Sequence, residues 1–197
     1  MNPSKIVITG TIASGKSTLS YLLSEFGFTV ISADEINREL IAEGNINYLA
    51  IKNSGEFDDA FKGDELDKKE LAAIIFNDSK KMQKLNQLTH KNILDELIKR
   101  ANLVDDKVVF VEIPLFFQTE ERFLADEVWL VVADYKTQVD RLKIRDGIDE
   151  AYAKTKIESQ ETLIEMKNES DMVFDNSGTL TNLRNELENV LEMKGLI

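Results

Sequence analysis

At 197 residues the chain can bury one substantial core and carry a helical insertion, but it is too short for two full-sized domains. Hydrophobic residues at 43% and charged residues at 30% mark a globular protein, and a net charge of −12 argues against a basic surface for nucleic acid or acidic lipid. Without cysteine there is no disulfide or thiolate chemistry, and no apolar run reaches the length of a membrane span.

The first apolar run, Ile6-Val7-Ile8, suits a buried parallel strand. It leads into GTIASGKST, residues 10–18, which fits the phosphate-loop pattern G-x-x-x-x-G-K-[ST] at Gly10, Gly15, Lys16 and Ser17. In such a loop backbone N–H groups face the phosphate oxygens, so Ala13, Ser14, Gly15, Lys16, Ser17 and Thr18 form the expected nucleotide-binding set. Lys16 is expected to reach the terminal phosphates and Ser17 to ligate Mg²⁺ carried by the nucleotide. Leu19, Leu22, Leu23 and Phe26 then recur at helical spacing, with Gly27 placed as a C-terminal cap.

A second strand over Val30–Ser32 runs into Asp34. Ligands of open parallel sheets bind beyond the carboxyl ends of the strands, so Asp34 can serve as base for a hydroxyl attacking a terminal phosphate. Aspartate is equally a preferred N-cap, here for a helix beginning at Glu35. The interval 35–103 is too long for one crossover, and its Leu, Ile, Phe and Met residues repeat every three to four positions. That pattern predicts an all-helical insertion housing a second substrate, with GDELDKKE (63–70) as a helix start and solvated face. His90, the sole histidine, reads from the residues alone as a packed, hydrogen-bonded side chain.

A third strand, Val108–Ile113, carries Glu112 near its end, either assisting Mg²⁺ through water or standing exposed. A fourth strand, Val128–Val132, precedes a charged helical stretch over 137–167 that reads as a lid. Arg141 and Arg145, four residues apart on one helix face, can flank a polyphosphate or pair with Asp140 and Asp146. A fifth strand, Met172–Phe174, completes the alternation of strand and helix that signals a parallel α/β sheet. The expected architecture is a single three-layer phosphate-loop NTPase domain with a five-stranded parallel sheet. Its core covers 1–34, 104–136 and 168–197, the acceptor-binding insertion 35–103, and the lid 137–167.

In this order, GTIASGKST, VISADEI, LDKKELAAIIF, LNQLTHKNI, EIPLFFQ, QVDRLKIRD, the Ser-Gln pair at 159–160 and FDNSG make the sequence resemble the dephospho-CoA kinase family over most of its length. The resemblance implies transfer of the γ-phosphate of ATP, with Mg²⁺, to the ribose 3′-hydroxyl of dephospho-CoA, the last step of coenzyme A synthesis. It also implies Asp34 as general base, Lys16 on the phosphates, Arg141 as a phosphate-contacting arginine and Arg145 as a second. Asn176 and Gly178 fall where the family borders the adenine, and His90, Pro114 and Leu115 fall near the acceptor. The chain departs from the family pattern at Ser32, Lys68, Lys91, Gln118 and Met166. A different small-molecule or nucleotide kinase is the alternative. A GTP-hydrolysing switch lacks its guanine-reading N-K-x-D after the fourth strand, where VADYKTQ stands, and a nucleic-acid motor is at odds with the acidic balance. The expected setting is the cytoplasm, as a monomer or small homo-oligomer with no nucleic-acid or membrane partner.

Overall fold

Short β-branched runs separated by amphipathic segments become, in the computed structural model, strands crossed over by helices. Residues 3–119, 121–158 and 163–197 are described. Their strands are β1 (Ser4–Gly10), β2 (Val30–Ser32), β3 (Phe61–Lys62), β4 (Glu65–Leu66), β5 (Val108–Glu112), β6 (Glu127–Val132) and β7 (Met172–Asp175). Their helices are α1 (Lys16–Glu25), α2 (Ala33–Leu40), α3 (Ile46–Ser54), α4 (Lys68–Asn77), α5 (Ser79–Leu103), α6 (Tyr135–Asp146), α7 (Glu150–Glu158), α8 (Leu163–Asn168) and α9 (Leu180–Met193). None of these helices is long and apolar enough to cross a membrane. The chain divides into two units, Met1–Ile31 with Ala101–Ile197, and Ser32–Arg100.

The first unit is built on a five-stranded parallel sheet of order β2-β5-β1-β6-β7. β1 is longer than the run Ile6–Ile8 because it is paired on both sides: Ser4 lies opposite Val108 on β5, and Gly10 opposite Val131 on β6. Ile6, Ile8, Phe110, Trp129, Val131 and Phe174 project from one face. There they pack on Leu19, Leu22 and Leu23 of α1 and on Leu183, Leu187, Val190 and Leu191 of α9. Val7, Val109, Val111 and Leu130 on the opposite face are buried too, which is why these strands read as continuous apolar runs. The buried Trp129 keeps its indole N–H satisfied by donating to Glu127 at 2.8 Å, and Lys194 holds that carboxylate at 2.7 Å.

The second unit is not all-helical. Its core gathers Ile51, Phe57, Ala60 and Leu71 with Leu66, Ile74, Ile75, Leu85 and Leu88, and it includes an antiparallel hairpin in which Phe61 pairs with Leu66 and Lys62 with Glu65. The expected helix start at Gly63 therefore comes later. Gly63-Asp64 is the hairpin turn, and Asp67 caps α4 by accepting from the backbone N–H groups of Lys69 and Glu70.

Candidate active site

Backbone geometry at the end of β1 shows what the glycines of GTIASGKST are for. A Cβ on Gly10 would lie 2.2 Å from the Val131 carbonyl oxygen, and one on Gly15 would lie 2.0 Å from the side-chain nitrogen of Asn176. Gly15 also has φ +96°, and it is the N-cap from which α1 opens. Ala13, at φ 54°, is the only non-glycine with positive φ among the described residues, a conformation costing about 1 kcal/mol for a residue with a Cβ. The Lys16 ammonium donates to the carbonyls of Gly10 (3.0 Å) and Thr11 (3.1 Å).

The loop's outer side is held by groups from two distant segments. Gln138 on α6 donates to the Thr11 hydroxyl at 2.8 Å and to the Ile12 carbonyl at 2.7 Å. One turn on, Arg141 donates to the carbonyls of Ala13 (3.2 Å), Ser14 (3.1 Å) and Asn176 (2.8 Å). The buried Asn176 donates its side-chain amide to the Ser14 carbonyl at 2.8 Å, and its backbone N–H to Val132. In a trans peptide the C=O and the following N–H point oppositely, so pinning the carbonyls of Ile12 and Ser14 aims the N–H groups of Ala13 and Gly15 the other way, into the loop. Those amides and the start of α1 form a concavity for anionic oxygen.

Beside it, Glu112 at the end of β5 is buried, not exposed. Its two oxygens accept from the hydroxyls of Ser17 (3.0 Å) and Ser20 (2.6 Å). A hydroxyl and a carboxylate are the hard oxygen donors Mg²⁺ prefers. No group of three or more His, Cys, Asp or Glu residues able to hold a metal occurs among the described residues. An ion here would thus complete its shell with phosphate oxygens and water.

The other expected site residues divide sharply. Arg141 is not paired with Asp140. Its three bonds leave Nε–H and one Nη2–H without a partner among the described residues. Arg145 is turned onto its neighbour Asp146 at 2.7 and 3.2 Å, and Lys156 of α7 joins that carboxylate at 3.1 Å. These cations hold the Asp146 carboxyl down at about 2, Arg145 being the larger cause. Asp134 caps α6 and is likewise held below the usual carboxylate range, chiefly by the Thr137 backbone N–H and then by its hydroxyl. Ser177 accepts from the Asp134 N–H, so the Asp175–Gly178 turn is tied to the start of α6. Gly178 has only ordinary contacts, with Asn182. After β5 come the half-buried Pro114 and the exposed Leu115.

Asp34 and His90 belong to the helical unit. Asp34 is not a cap: Ser32 accepts from the Glu35 N–H at 3.4 Å, and Asp34 stands in the first turn of α2, exposed and without a hydrogen bond among the described residues. His90 is on the surface of α5 and its side chain makes no hydrogen bond among the described residues, contrary to its expected packed state. Local desolvation still lowers its pKa. Ser159 and Gln160 lie outside the described residues. Gln138 and the carboxylate clamp of Ser20 went unread in the sequence. The one hint was that Gln138 and Arg141, three apart, share a helix face.

With this geometry in place, comparison with known proteins decides the family. The profile of the dephospho-CoA kinases matches residues 5–182. The chain belongs to the dephospho-CoA kinase family. The dephospho-CoA kinase of Staphylococcus aureus is 34% identical over 197 residues, covering 99% of this chain and 95% of that protein. The one from Carboxydothermus hydrogenoformans is 32% identical over 190 residues, covering 95% and 92%. A solved dephospho-CoA kinase from Campylobacter jejuni superposes with a TM-score of 0.65 at 25% identity, covering 98% of each chain. Two of this kinase's departures have local reasons: Ser32 caps α2, and Met166 is buried, where a basic side chain would lose its water. Lys91 forms an i, i+4 pair with Asp95.

Proposed function

We propose that the protein transfers the γ-phosphate of ATP to the ribose 3′-hydroxyl of dephospho-CoA, giving coenzyme A and ADP. What supports this reading most is the pinned phosphate loop in a chain of this family. Mg²⁺, bound through Ser17 with Glu112 behind it, would supply charge neutralisation on the β- and γ-phosphates. The loop amides and Lys16 hold the phosphates, and the two spare N–H groups of Arg141 offset charge on the moving phosphoryl group. The bond from the 3′-oxygen to phosphorus forms as the bond to the leaving ADP oxygen breaks. Asp34, whose carboxylate has no competing partner among the described residues, takes the hydroxyl proton. Asn176 acts through the loop it props, and His90, Pro114 and Leu115 serve the acceptor. The charged stretch 137–167 acts as the cover, and α6 within it also braces the loop through Gln138 and Arg141.

A coupled ADP-release assay against dephospho-CoA, adenosine, shikimate and nucleoside monophosphates tests the reading. Turnover confined to dephospho-CoA is expected. Turnover on another acceptor, or none on dephospho-CoA, overturns it.

A further inference from the structure

We propose that Gln138 is a positioning residue of the nucleotide site, setting the direction of the loop amides without touching the nucleotide. The inference rests on the loop being the ATP site. A side-chain amide nitrogen carries two N–H donors, and Gln138 uses both on the loop, at 2.8 Å to the Thr11 hydroxyl and 2.7 Å to the Ile12 carbonyl. The Ile12 carbonyl can only accept, so the amide nitrogen must face it. Both Gln138 and Thr11 are buried, at 6% and 8% exposure, so neither bond competes with water.

The anchor is itself fixed. Asp134 caps the helix that carries Gln138 through the Thr137 N–H, and Ser177 accepts from the Asp134 N–H. Gln138 is thus a rigid post, and what it fixes is the peptide between Ile12 and Ala13. Holding that carbonyl outward turns the Ala13 N–H inward. This is the loop segment with most reason to relax, since Ala13 is held at φ 54°. Gln138 holds the first carbonyl, Arg141 the next two, and Asn176 the last of these together with Arg141. Losing Gln138 removes two of the bonds that orient this part of the loop, so the Ala13 amide is aimed less firmly at the phosphates while Arg141 and Asn176 keep their own carbonyls.

Gln138→Met keeps the length and shape of the side chain and removes both donors. ATP binding by titration calorimetry on the full chain, which needs no acceptor, is expected to weaken about tenfold for two lost buried bonds. The KM for dephospho-CoA should stay within about twofold, and the melting temperature should fall by several degrees because the Ile12 carbonyl and Thr11 hydroxyl each lose a buried partner. A purely structural role would lower the melting temperature and leave ATP affinity intact. Thr11→Val removes one of the two bonds and is expected to weaken ATP binding by about threefold, so it decides the matter should Gln138→Met not fold. Unchanged ATP affinity in the folded variants overturns the inference. A wild type that binds ATP but ignores dephospho-CoA overturns the proposed function and leaves the role of Gln138 standing.

Discussion

The nucleotide loop and the helical unit solve opposite problems. Around the loop the carbonyls of Gly10 to Ser14 accept from Lys16, Gln138, Arg141, Asn176 or the Ser14 N–H, and Glu112 is spent on two hydroxyls. In Ser32–Arg100 the proposed acceptor residues Asp34 and His90 are exposed and unbonded among the described residues, and the polar contacts include surface ion pairs such as Lys52–Asp64. A polyphosphate is bound by fixed dipoles, so its site must be ordered beforehand. A base that takes a proton late gains nothing from a standing partner, which would only stabilise its charge and weaken it. Substitutions in the two regions should therefore fail in different ways.

The largest separation is expected at Asp34. Asp34→Asn should lower kcat by a factor of about 10²–10⁴, the usual worth of a positioned base, with ATP affinity and melting temperature unchanged. Steady-state kinetics beside calorimetry show the split, and near-normal turnover would remove Asp34 from the mechanism. Gly15→Ala probes the other region and should fail the other way. The new Cβ would sit 2.0 Å from the Asn176 amide at a φ of +96°, so the loop must open or Asn176 must leave Ser14. A loss of about 2–3 kcal/mol in stability is expected together with ATP affinity, measured by denaturant unfolding and calorimetry. If ATP binding survived with only stability reduced, the pinned loop would not be what binds.

How much of this contrast was legible beforehand follows from the range of the contacts. The central strands β5, β1 and β6 were readable because parallel strands buried on both faces are locally apolar, the half-buried edge strands β2 and β7 as short apolar runs, and the loop because its spacing is contiguous. Gln138 was not, since it lies 126 residues along the chain from the Ile12 carbonyl it meets and looks like any polar residue on a charged helix. The Phe61–Leu66 hairpin did leave a signal, the two-residue Gly63-Asp64 turn, but strands of two residues show no alternation. Asp34 as a cap was a sound local expectation; Ser32, two residues earlier, is the cap instead, accepting from the Glu35 N–H, because the helix begins at Ala33.

The smallest expected effect sharpens the comparison through pH. Asp146 is held at about 2, against an ordinary 3.8, by Arg145 and then Lys156, and its side chain is 21% exposed. Lys52–Asp64 in the helical unit is an ion pair of similar length with side chains 36% and 80% exposed. A carboxyl lowered on folding contributes stability that is complete above its unfolded value and disappears as pH falls through its folded one. The stability difference between wild type and Asp146→Asn should therefore be flat above about pH 5 and close between about pH 4 and pH 2, with a plateau of about 1 kcal/mol after allowance for solvent screening. Asp64→Asn should differ from wild type by less than that, because both partners remain hydrated in the folded chain. Denaturant unfolding across pH separates the two. A larger plateau at Asp64 would mean that the helical unit, too, relies on fixed charges, and the contrast between the regions would fail.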